Sequence, residues 1–275
     1  MRASEILRKL AVLLSLASIQ SYAWQQQAPK AVEACAAMAP YGWPSNGKGT
    51  AGLCRNGYAT VYDAAAKIPV WGVYTLTPAN TMGCVVRSNG FAADASIPNG
   101  ATPSDYDGTG YDKGHNAPDG DMSYNQQVEW ESFLMTNMTP QAPSINRGGW
   151  KLLESSVRAW AYELNQSLVI YAGPLYGPGD KTIGKGVVVP HGYFKIVINT
   201  VTKEYAGWVF PNQGSVGNDL TKLRNSIAQI QQLSGLTFPL PANGIELQVG
   251  KEWPVNFGTF TQAKKQKCGV GASTD

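Results

Sequence analysis

The chain has 275 residues, of which 43% are hydrophobic and 15% are charged, and its formal net charge is +3 at pH 7. A chain of this length can bury a sizeable core as one large domain or two small ones. So small a net charge excludes a general attraction to polyanions, and any affinity for nucleic acid must come from local basic patches.

The first 23 residues have the layout of a secretory signal peptide. Arg2, Arg8 and Lys9 precede an apolar run from Leu10 to Ile19, and small residues frame a cleavage site after Ala23. The run is too short to cross a bilayer, which takes about 20 apolar residues. A buried N-terminal helix is the alternative interpretation. We expect an exported protein, secreted or periplasmic, with no membrane segment in its mature form.

The four cysteines of the chain are Cys35, Cys54, Cys84 and Cys268. None of them has the close C-x-x-C spacing of a zinc site. An even number of cysteines in an exported chain predicts two disulfides, and three pairings are open. We favour Cys35–Cys54, which closes a short loop, together with Cys84–Cys268, which ties the C-terminal tail to the body of the protein.

The first half of the mature chain combines irregular segments with a hairpin and a helix. Residues 24–56 are rich in Ala, Gly and Pro, and we expect an N-terminal layer held by disulfides. Two β-rich runs within 59–76 predict a hairpin, and residues 123–135 predict a short helix. The clearest helix spans 148–164, because apolar residues recur there at spacings of three and four: Trp150, Leu153, Val157, Trp160, Ala161 and Leu164.

The second half of the chain begins with strands. Three strand-like runs lie within 167–176, 186–199 and 204–212, and the last two form a second predicted hairpin. A polar helix is expected near 218–233, before a tail rich in Pro and Gly. Strands therefore cluster with strands, and helices with helices. This order predicts an α+β fold with a central antiparallel sheet flanked by helices, in a single domain over 24–275.

One stretch concentrates groups that can carry chemistry. Residues 110–121, "GYDKGHNAPDGD", hold His115, one of only two histidines in the chain. Histidine is the readiest general base near neutral pH, and Gly114 beside it frees the backbone. We interpret the stretch as a loop that presents His115 to a substrate. The alternatives are a surface turn, or a calcium loop starting at Asp105 and Asp107 that lacks its bidentate Glu.

A second informative stretch reads "TNMTPQAPSINRGGWKLLESSVR". Asn146 lies just before the strong helix, as an N-cap or as an oxygen ligand for a hard cation such as Mg²⁺. Glu154 and Arg158 are four residues apart, which also suits a surface ion pair. Glu154 lies about 12 Å from Asn146 along an ideal helix. Both can serve one ion only if Glu154 acts through water or the chain turns back at Asn146.

Three stretches of the chain read "GYDKGHNAPDGDM", "TNMTPQAPSINRGGWKLLE" and "LVIYAGPLY". In this order they resemble the signatures of the DNA/RNA non-specific endonucleases, the ββα-metal nucleases. The family pattern is D-R-G-H-x-A-P, then N-x-x-P-Q with L-N-x-x-x-W-x-x-L-E, then a strand that ends in G-P. The resemblance covers residues 58–212 and implies that the α+β fold carries a ββα-metal active-site motif.

The resemblance implies a role for each of five residues. His115 matches the general base of the family, and Asn146 matches the one direct protein ligand of a magnesium ion. Glu154 matches a carboxylate that acts around the ion through water. Arg158 matches an arginine near the scissile phosphate. Arg87, in "RSNGFAAD", resembles the upstream arginine that contacts phosphate, although the motif around it is looser.

The activity implied by the resemblance is hydrolysis of phosphodiester bonds in DNA and RNA. The implied cofactor is Mg²⁺, with Mn²⁺ or another divalent cation as a substitute. Two positions depart from the family pattern. Lys113 stands where the family usually has Arg, which keeps the charge but loses bidentate phosphate binding. Ile145 replaces a common Leu before the ligand Asn. The oligomeric state stays open.

Two other functions also stay open on the sequence. A metal-free ribonuclease would use His115 and His191 as acid and base on the ribose 2′-hydroxyl. However, His191 stands at the edge of a predicted strand, where a structural or surface histidine is the simpler interpretation. A non-enzymatic exported binding module that keeps the fold is the other possibility. The presence of His115, Asn146 and Glu154 together argues against it.

Overall fold

The computed structural model describes residues 31–45, 48–214, 217, 219–240 and 248–269. The predicted signal peptide and the first residues of the predicted N-terminal layer lie outside this part of the chain. No helix within the described residues combines the length and the apolar character that crossing a membrane requires.

Eleven strands are present in the described residues, and seven of them build one antiparallel sheet. In chain order the strands are β1 (Ala51–Cys54), β2 (Ala59–Asp63), β3 (Ile68–Leu76), β4 (Asp112–His115), β5 (Met138–Gln141), β6 (Leu168–Leu175), β7 (Thr182–Ile183), β8 (Val187–Val188), β9 (Gly192–Asn199), β10 (Tyr205–Pro211) and β11 (Arg224–Asn225). The large sheet has the order β1-β2-β3-β6-β9-β10-β11, while β4–β5 and β7–β8 are separate pairs. Both predicted hairpins are confirmed, as β2–β3 and β9–β10.

The α-helices of the described residues are α1 (Pro78–Thr81), α2 (Asp119–Met122), α3 (Gln126–Ser132), α4 (Lys151–Leu164), α5 (Ile227–Ser234) and α6 (Phe257–Cys268). Short 3₁₀ helices span Val32–Met38, Pro103–Tyr106, Met135–Asn137 and Leu220–Leu223. Strands and helices thus segregate along the chain, which confirms the predicted α+β fold.

Helix α4 packs against one face of the large sheet and confirms the predicted apolar stripe. Five of the six stripe residues are buried, and Leu164 is partly buried against them. Trp160 stacks on Trp208 of β10 with 5.8 Å between the ring centroids. Each such side chain contributes about 1.5–3 kcal/mol when it is fully buried, so this stripe fixes α4 to the sheet.

The opposite face of the sheet is covered by α5 and by the N-terminal 3₁₀ helix. Strand β9 shows how the two faces separate, since alternate side chains of a strand point to opposite sides. Phe194, Ile196 and Ile198 belong to the core under α5. Tyr193 and Val197 belong to the core under α4.

Both predicted disulfides are confirmed, with Cα–Cα distances of 5.5 Å for Cys35–Cys54 and 5.2 Å for Cys84–Cys268. The tail that follows the polar helix contains a further helix that was not predicted, because the last described segment forms α6. Asn256 caps this helix by accepting a hydrogen bond from the Thr259 N–H. The second disulfide fastens its last residue to the segment after α1.

Candidate active site

The unit β4–β5–α4 presents the histidine. Strand β4 pairs antiparallel with β5, and His115 lies opposite Met138 in the register. A π-helical turn, Ile145–Trp150, then leads into α4. These elements are two strands and a helix in succession, the ββα motif that the resemblance implies. The interpretation of residues 110–121 as a loop was wrong at its centre, because Asp112–His115 form a strand.

Gly114 is required by space rather than by its backbone conformation. It sits inside β4 outside the left-handed region, so the freedom expected of it is not used. A Cβ atom at this position would lie 2.3 Å from Oε1 and 2.7 Å from Cβ of Gln141, its neighbour on β5. Gln141 is itself buried. Glycine therefore lets β4 and β5 approach each other beneath the histidine.

Asn137 holds the turn that follows His115. Its Oδ1 accepts the Ala117 N–H at 3.0 Å, and its Nδ2 donates to the carbonyl oxygens of Ala117 at 2.8 Å and of Ser132 at 2.7 Å. The side chain is fully buried. Sequence reasoning gave this residue no role, although it begins the N-x-x-P-Q pattern. It locks the backbone beside His115 to the end of α3.

A cavity of about 510 Å³ opens beside β4 and the start of α4. We call it the site cavity. Of the five residues for which the sequence implies a role, His115, Asn146, Glu154 and Arg87 line it. The remaining lining residues are mostly charged or aromatic: Phe91, Tyr111, Asp112, Lys113, Pro118, Asp119, Arg147 and Lys151. Four cations line the cavity beside three carboxylates, those of Asp112, Asp119 and Glu154, so positive side chains are only slightly in excess there.

The π-helical turn explains how Asn146 and Glu154 can line one cavity although they are eight residues apart. Gly148 departs from helical geometry within it, with φ −110° and ψ −116°. The 12 Å expected along an ideal helix therefore does not apply, since the helix is broken between the two residues. Both residues line the same cavity.

Asp112 fixes the orientation of the Asn146 amide. Asn146 Nδ2 donates to Asp112 Oδ2 at 2.9 Å. Since an ionised carboxylate can only accept, the amide oxygen must point the other way. Arg147 forks onto the same carboxylate at 2.8 and 2.6 Å. Burial alone would raise the pKa of Asp112, but the hydrogen bonds from Arg147 and Asn146 hold it below its ordinary value.

These donors suit a hard divalent cation. No residue of the described chain donates a hydrogen bond to Asn146 Oδ1, and a carboxylate of Glu154 lines the same cavity. Amide and carboxylate oxygens are the ligands that Mg²⁺ prefers, and it usually keeps several waters. A cluster of three or more His, Cys, Asp or Glu residues does not occur among the described residues. Asn146 and Glu154 are the residues of the cavity that would hold such an ion.

His115 is only 8% exposed and packs against aromatic rings. The ring centroids of Phe133 and Phe91 lie 5.0 and 5.9 Å from the imidazole. Its Nε2 is buried and has no hydrogen-bond partner in the described part of the chain. Burial, reinforced by the charges of Arg87 and Lys195, lowers the pKa of His115 from 6.5 to about 3. The imidazole is thus neutral at physiological pH, as a general base requires.

We expect NMR titration to find His115 neutral down to about pH 4. The variant His191→Gln leaves His115 as the single histidine, so its C2 proton reports the protonation of this ring alone. The chemical shift should stay at the value of a neutral imidazole as the pH falls from 8 through 6.5, since the pKa lies at about 3. A midpoint near 6.5 would contradict this expectation.

The same shift gives the stability a defined pH dependence. The unfolded chain takes up a proton on His115 near pH 6.5, whereas the folded chain does so only near pH 3. Between these values the unfolded state binds more protons, so the contribution of His115 to the free energy of unfolding falls as the pH falls. Above pH 6.5 this histidine contributes no pH dependence.

Arg87 reaches the cavity from the segment between α1 and α2. Its Nη1 donates to Asp119 Oδ1, and its guanidinium carbon lies 4.9 Å from the centroid of Phe133. Its Nε also donates to Asn89 at 2.8 Å. The side chain is about one third exposed. Arg87 is therefore held beside His115 with part of its charge open to the cavity.

Arg158 does not line the site cavity, and the place near the scissile phosphate that the resemblance implies for it stays a prediction. It is 0% exposed, and its Nη1 donates to Asp121 Oδ1 at 2.9 Å. Asp121 also accepts the Tyr74 hydroxyl at 2.6 Å, so the three residues form a buried network. Asp121 is the centre of this network. Arg158 is also not the surface partner of Glu154 that its spacing allowed.

Glu154 has a buried cation as its neighbour. Nζ of Lys195, on β9, lies 3.4 Å from Glu154 Oε1. Burial raises the pKa of Glu154, and the charges of Lys195 and Arg158 oppose this effect. Sequence reasoning missed Lys195, because "YFKIVI" shows a lysine inside a strand and gives no sign of its partner.

The other candidates of the sequence lie away from the site cavity. His191 does not line it, and its Nδ1 lies 3.0 Å from Asp180 Oδ2 at the surface. The geometry therefore does not pair His191 with His115 as acid and base. Asp105, the first residue of the calcium-loop alternative, accepts hydrogen bonds from Thr102 and from the backbone N–H of Lys185 at 2.7 Å. Its carboxylate thus stabilises the local backbone through these hydrogen bonds.

The known proteins that this chain is similar to are nucleases. The family model described as DNA/RNA non-specific endonuclease matches residues 36–243. A nuclease from a Nostoc species is 32% identical over 200 residues, which cover 68% of this chain and 72% of that protein. Mitochondrial endonuclease G from Bos taurus is 30% identical over 220 residues, which cover 73% and 72%. The crystal structure of an EndoG/EndoGI complex is also similar, with 27% sequence identity and a TM-score of 0.65. The match covers 74% of this chain and 90% of the chain in that structure.

Proposed function

Since this chain belongs to the DNA/RNA non-specific endonuclease family and is a nuclease, we propose that it is an exported enzyme that cleaves DNA and RNA with little sequence preference. The observation that supports this proposal is the site cavity itself. It brings His115, Asn146, Glu154 and Arg87 together with three further cations. Phosphate contacts of this kind are independent of sequence.

We propose Mg²⁺ as the cofactor, with Mn²⁺ or another divalent cation as a substitute. Asn146 would be the direct protein ligand, through the amide oxygen that Asp112 turns away from itself. Glu154 would act through water. A bound divalent cation would neutralise charge on the phosphate and stabilise the leaving oxygen.

The side chains of the cavity would supply the rest of the reaction. His115 would take a proton from the attacking water, because its imidazole is neutral at working pH. Arg87 and Lys113 line the cavity and would stabilise the negative charge that develops on the phosphate. Arg158 would act from outside the cavity, as a buried positive charge that binds the Asp121 carboxylate.

The remaining proposals concern the chain as a whole. We propose that residues 1–23 direct export to the periplasm or the medium and are removed. The two disulfides support an oxidising compartment. Residues 24–275 would form one nuclease domain. Mitochondrial relatives are also known, so the compartment is to be tested by fractionation.

Purified protein is expected to degrade both plasmid DNA and RNA with Mg²⁺, and EDTA should abolish both activities. The reason is that an activated water attacks phosphorus without using the 2′-hydroxyl, so the sugar is not part of the reaction. Products should carry 5′-phosphate ends, as the family resemblance implies. Cleavage should weaken modestly as salt rises, because only a local basic site is screened.

The metal-free ribonuclease predicts the opposite set of results. RNA alone would be cleaved, EDTA would have no effect, and the products would be cyclic or 3′-phosphates. Intact plasmid DNA beside degraded RNA, with Mg²⁺ present, would therefore overturn the proposed function. It would also make His191 a candidate catalytic residue again, although its ring faces Asp180.

A further inference from the structure

Lys195 is a charged residue in an apolar core. It lies on β9 between Phe194 and Ile196 and is 0% exposed. Its neighbours on the same face of the strand, Tyr193 and Val197, belong to the core under α4. Removing an ammonium group from water is strongly unfavourable unless a partner compensates for the lost hydration. A lysine in this position therefore needs a partner whose interaction offsets the free-energy cost of burying its charge.

The ammonium group has two such contacts, and both lead to the site cavity. Nζ lies 3.4 Å from Glu154 Oε1 and 4.3 Å from the centroid of the Trp150 ring. Trp150 is the last residue of the π-helical turn, and Glu154 is in the first turn of α4. Lys195 thus joins the central sheet to the part of the helix that carries the carboxylate.

Glu154 depends on this lysine for its orientation. Within the described residues, no other side chain donates a hydrogen bond to its carboxylate. Arg158, one turn further along α4, is turned to Asp121 instead. With Oε1 bound to Lys195, the second oxygen is free to face the cavity that Glu154 lines.

We propose that Lys195 is a positioning residue, which holds the Glu154 carboxylate in the direction needed to order water around a divalent cation in the site cavity. The inference rests on the proposed function. Lys195 is completely buried, so it touches neither substrate nor cation. Partners of this kind, behind the groups that bind a metal, typically change metal affinity or activity by about 10- to 100-fold when they are removed.

The test uses three variants of the full chain and binding of Mn²⁺ alone, followed by electron paramagnetic resonance without substrate. Lys195→Met keeps a long side chain and removes the charge and the donors. Lys195→Arg keeps both. Lys264→Met is the matched control, because Lys264 is also a buried lysine, 1% exposed, but its Nζ donates to the Thr81 carbonyl oxygen at 3.0 Å.

Lys195→Met should weaken Mn²⁺ binding about 10-fold or more and lower kcat to a similar degree, with KM for DNA changed less than about twofold. Lys195→Arg should restore Mn²⁺ affinity to within about threefold of the wild type. Lys264→Met should lose stability but keep both quantities. The number of Mn²⁺ sites per chain counts folded protein, so misfolding appears as fewer sites rather than as weaker ones.

The direction of the change separates positioning from simple charge repulsion. Loss of a positive charge near a cation site would by itself tighten Mn²⁺ binding. Unchanged or tighter binding in folded Lys195→Met would therefore overturn the inference. If Lys195→Met does not fold, a folded Lys195→Arg that binds Mn²⁺ more than 10-fold more weakly than the wild type would overturn it equally. Failure of the wild type to bind Mn²⁺ or to cleave DNA would instead count against the proposed function.

Discussion

Replacing His115 with alanine is expected to lower kcat by about 100- to 10,000-fold, the range typical for loss of a general base. The imidazole lines the site cavity and is neutral because burial lowers its pKa to about 3. No other histidine lines the cavity to replace it. Initial rates on plasmid DNA at saturating Mg²⁺ measure the effect.

Alanine also removes the contacts of the imidazole with Phe91 and Phe133. The thermal midpoint of the variant must therefore be measured beside its rate, since part of the packing is lost. His191→Ala is the matched control, because this second histidine is exposed and faces Asp180. A folded His115→Ala variant with near-wild-type kcat would show that His115 is not the base.

Replacing Asn146 with alanine is expected to lower kcat/KM by about 100-fold or more at limiting Mg²⁺. The reason is loss of the one proposed direct protein ligand of the metal ion. A bound metal ion stabilises the transition state by several kcal/mol, so weaker metal binding lowers the rate strongly. Excess Mg²⁺ should restore part of the activity, since Glu154 and the phosphate remain. A titration of rate against Mg²⁺ concentration, in parallel for wild type and variant, measures this.

Asn256→Ala provides the control for Asn146→Ala. Asn256 caps α6, so its loss costs about 1 kcal/mol of stability. It does not line the site cavity, and the Mg²⁺ dependence should be unchanged. If Asn146→Ala shows the same Mg²⁺ dependence as the wild type, Asn146 does not bind the ion.

Local patterns predicted the elements that have strong periodicity. The stripe from Trp150 to Ala161 identified α4, because one apolar face of a helix is readable from spacing alone. Helix α6 was missed, since only Phe260 and Lys264 of its residues are buried and they form no stripe. It is held to the rest of the protein by its disulfide and by Lys264, which donates to the Thr81 carbonyl oxygen, and such long-range contacts leave little trace in local sequence.

The same distinction explains the candidate site. His115, Asn146 and Glu154 were found because each stands in a short motif along the chain. Lys195 was not, because its role depends on β9 passing behind α4, which no local pattern encodes. The environment of Arg158 was misjudged for the same reason, since its burial against Asp121 depends on how α2 docks.

The Cys84–Cys268 bridge spans 184 residues and encloses most of the described chain. In covalent terms residues 84–268 form a closed ring, and the segment that carries β1, β2 and β3 lies outside it, before Cys84. The turn between β9 and β10, with Val201 at 63% exposure, is the kind of exposed tip that proteases attack. A single cut there leaves two fragments that remain one molecule, because the bridge still joins them. Such a nick would be visible on a gel only after reduction, and the halves would keep the high mutual concentration that favours their staying folded together.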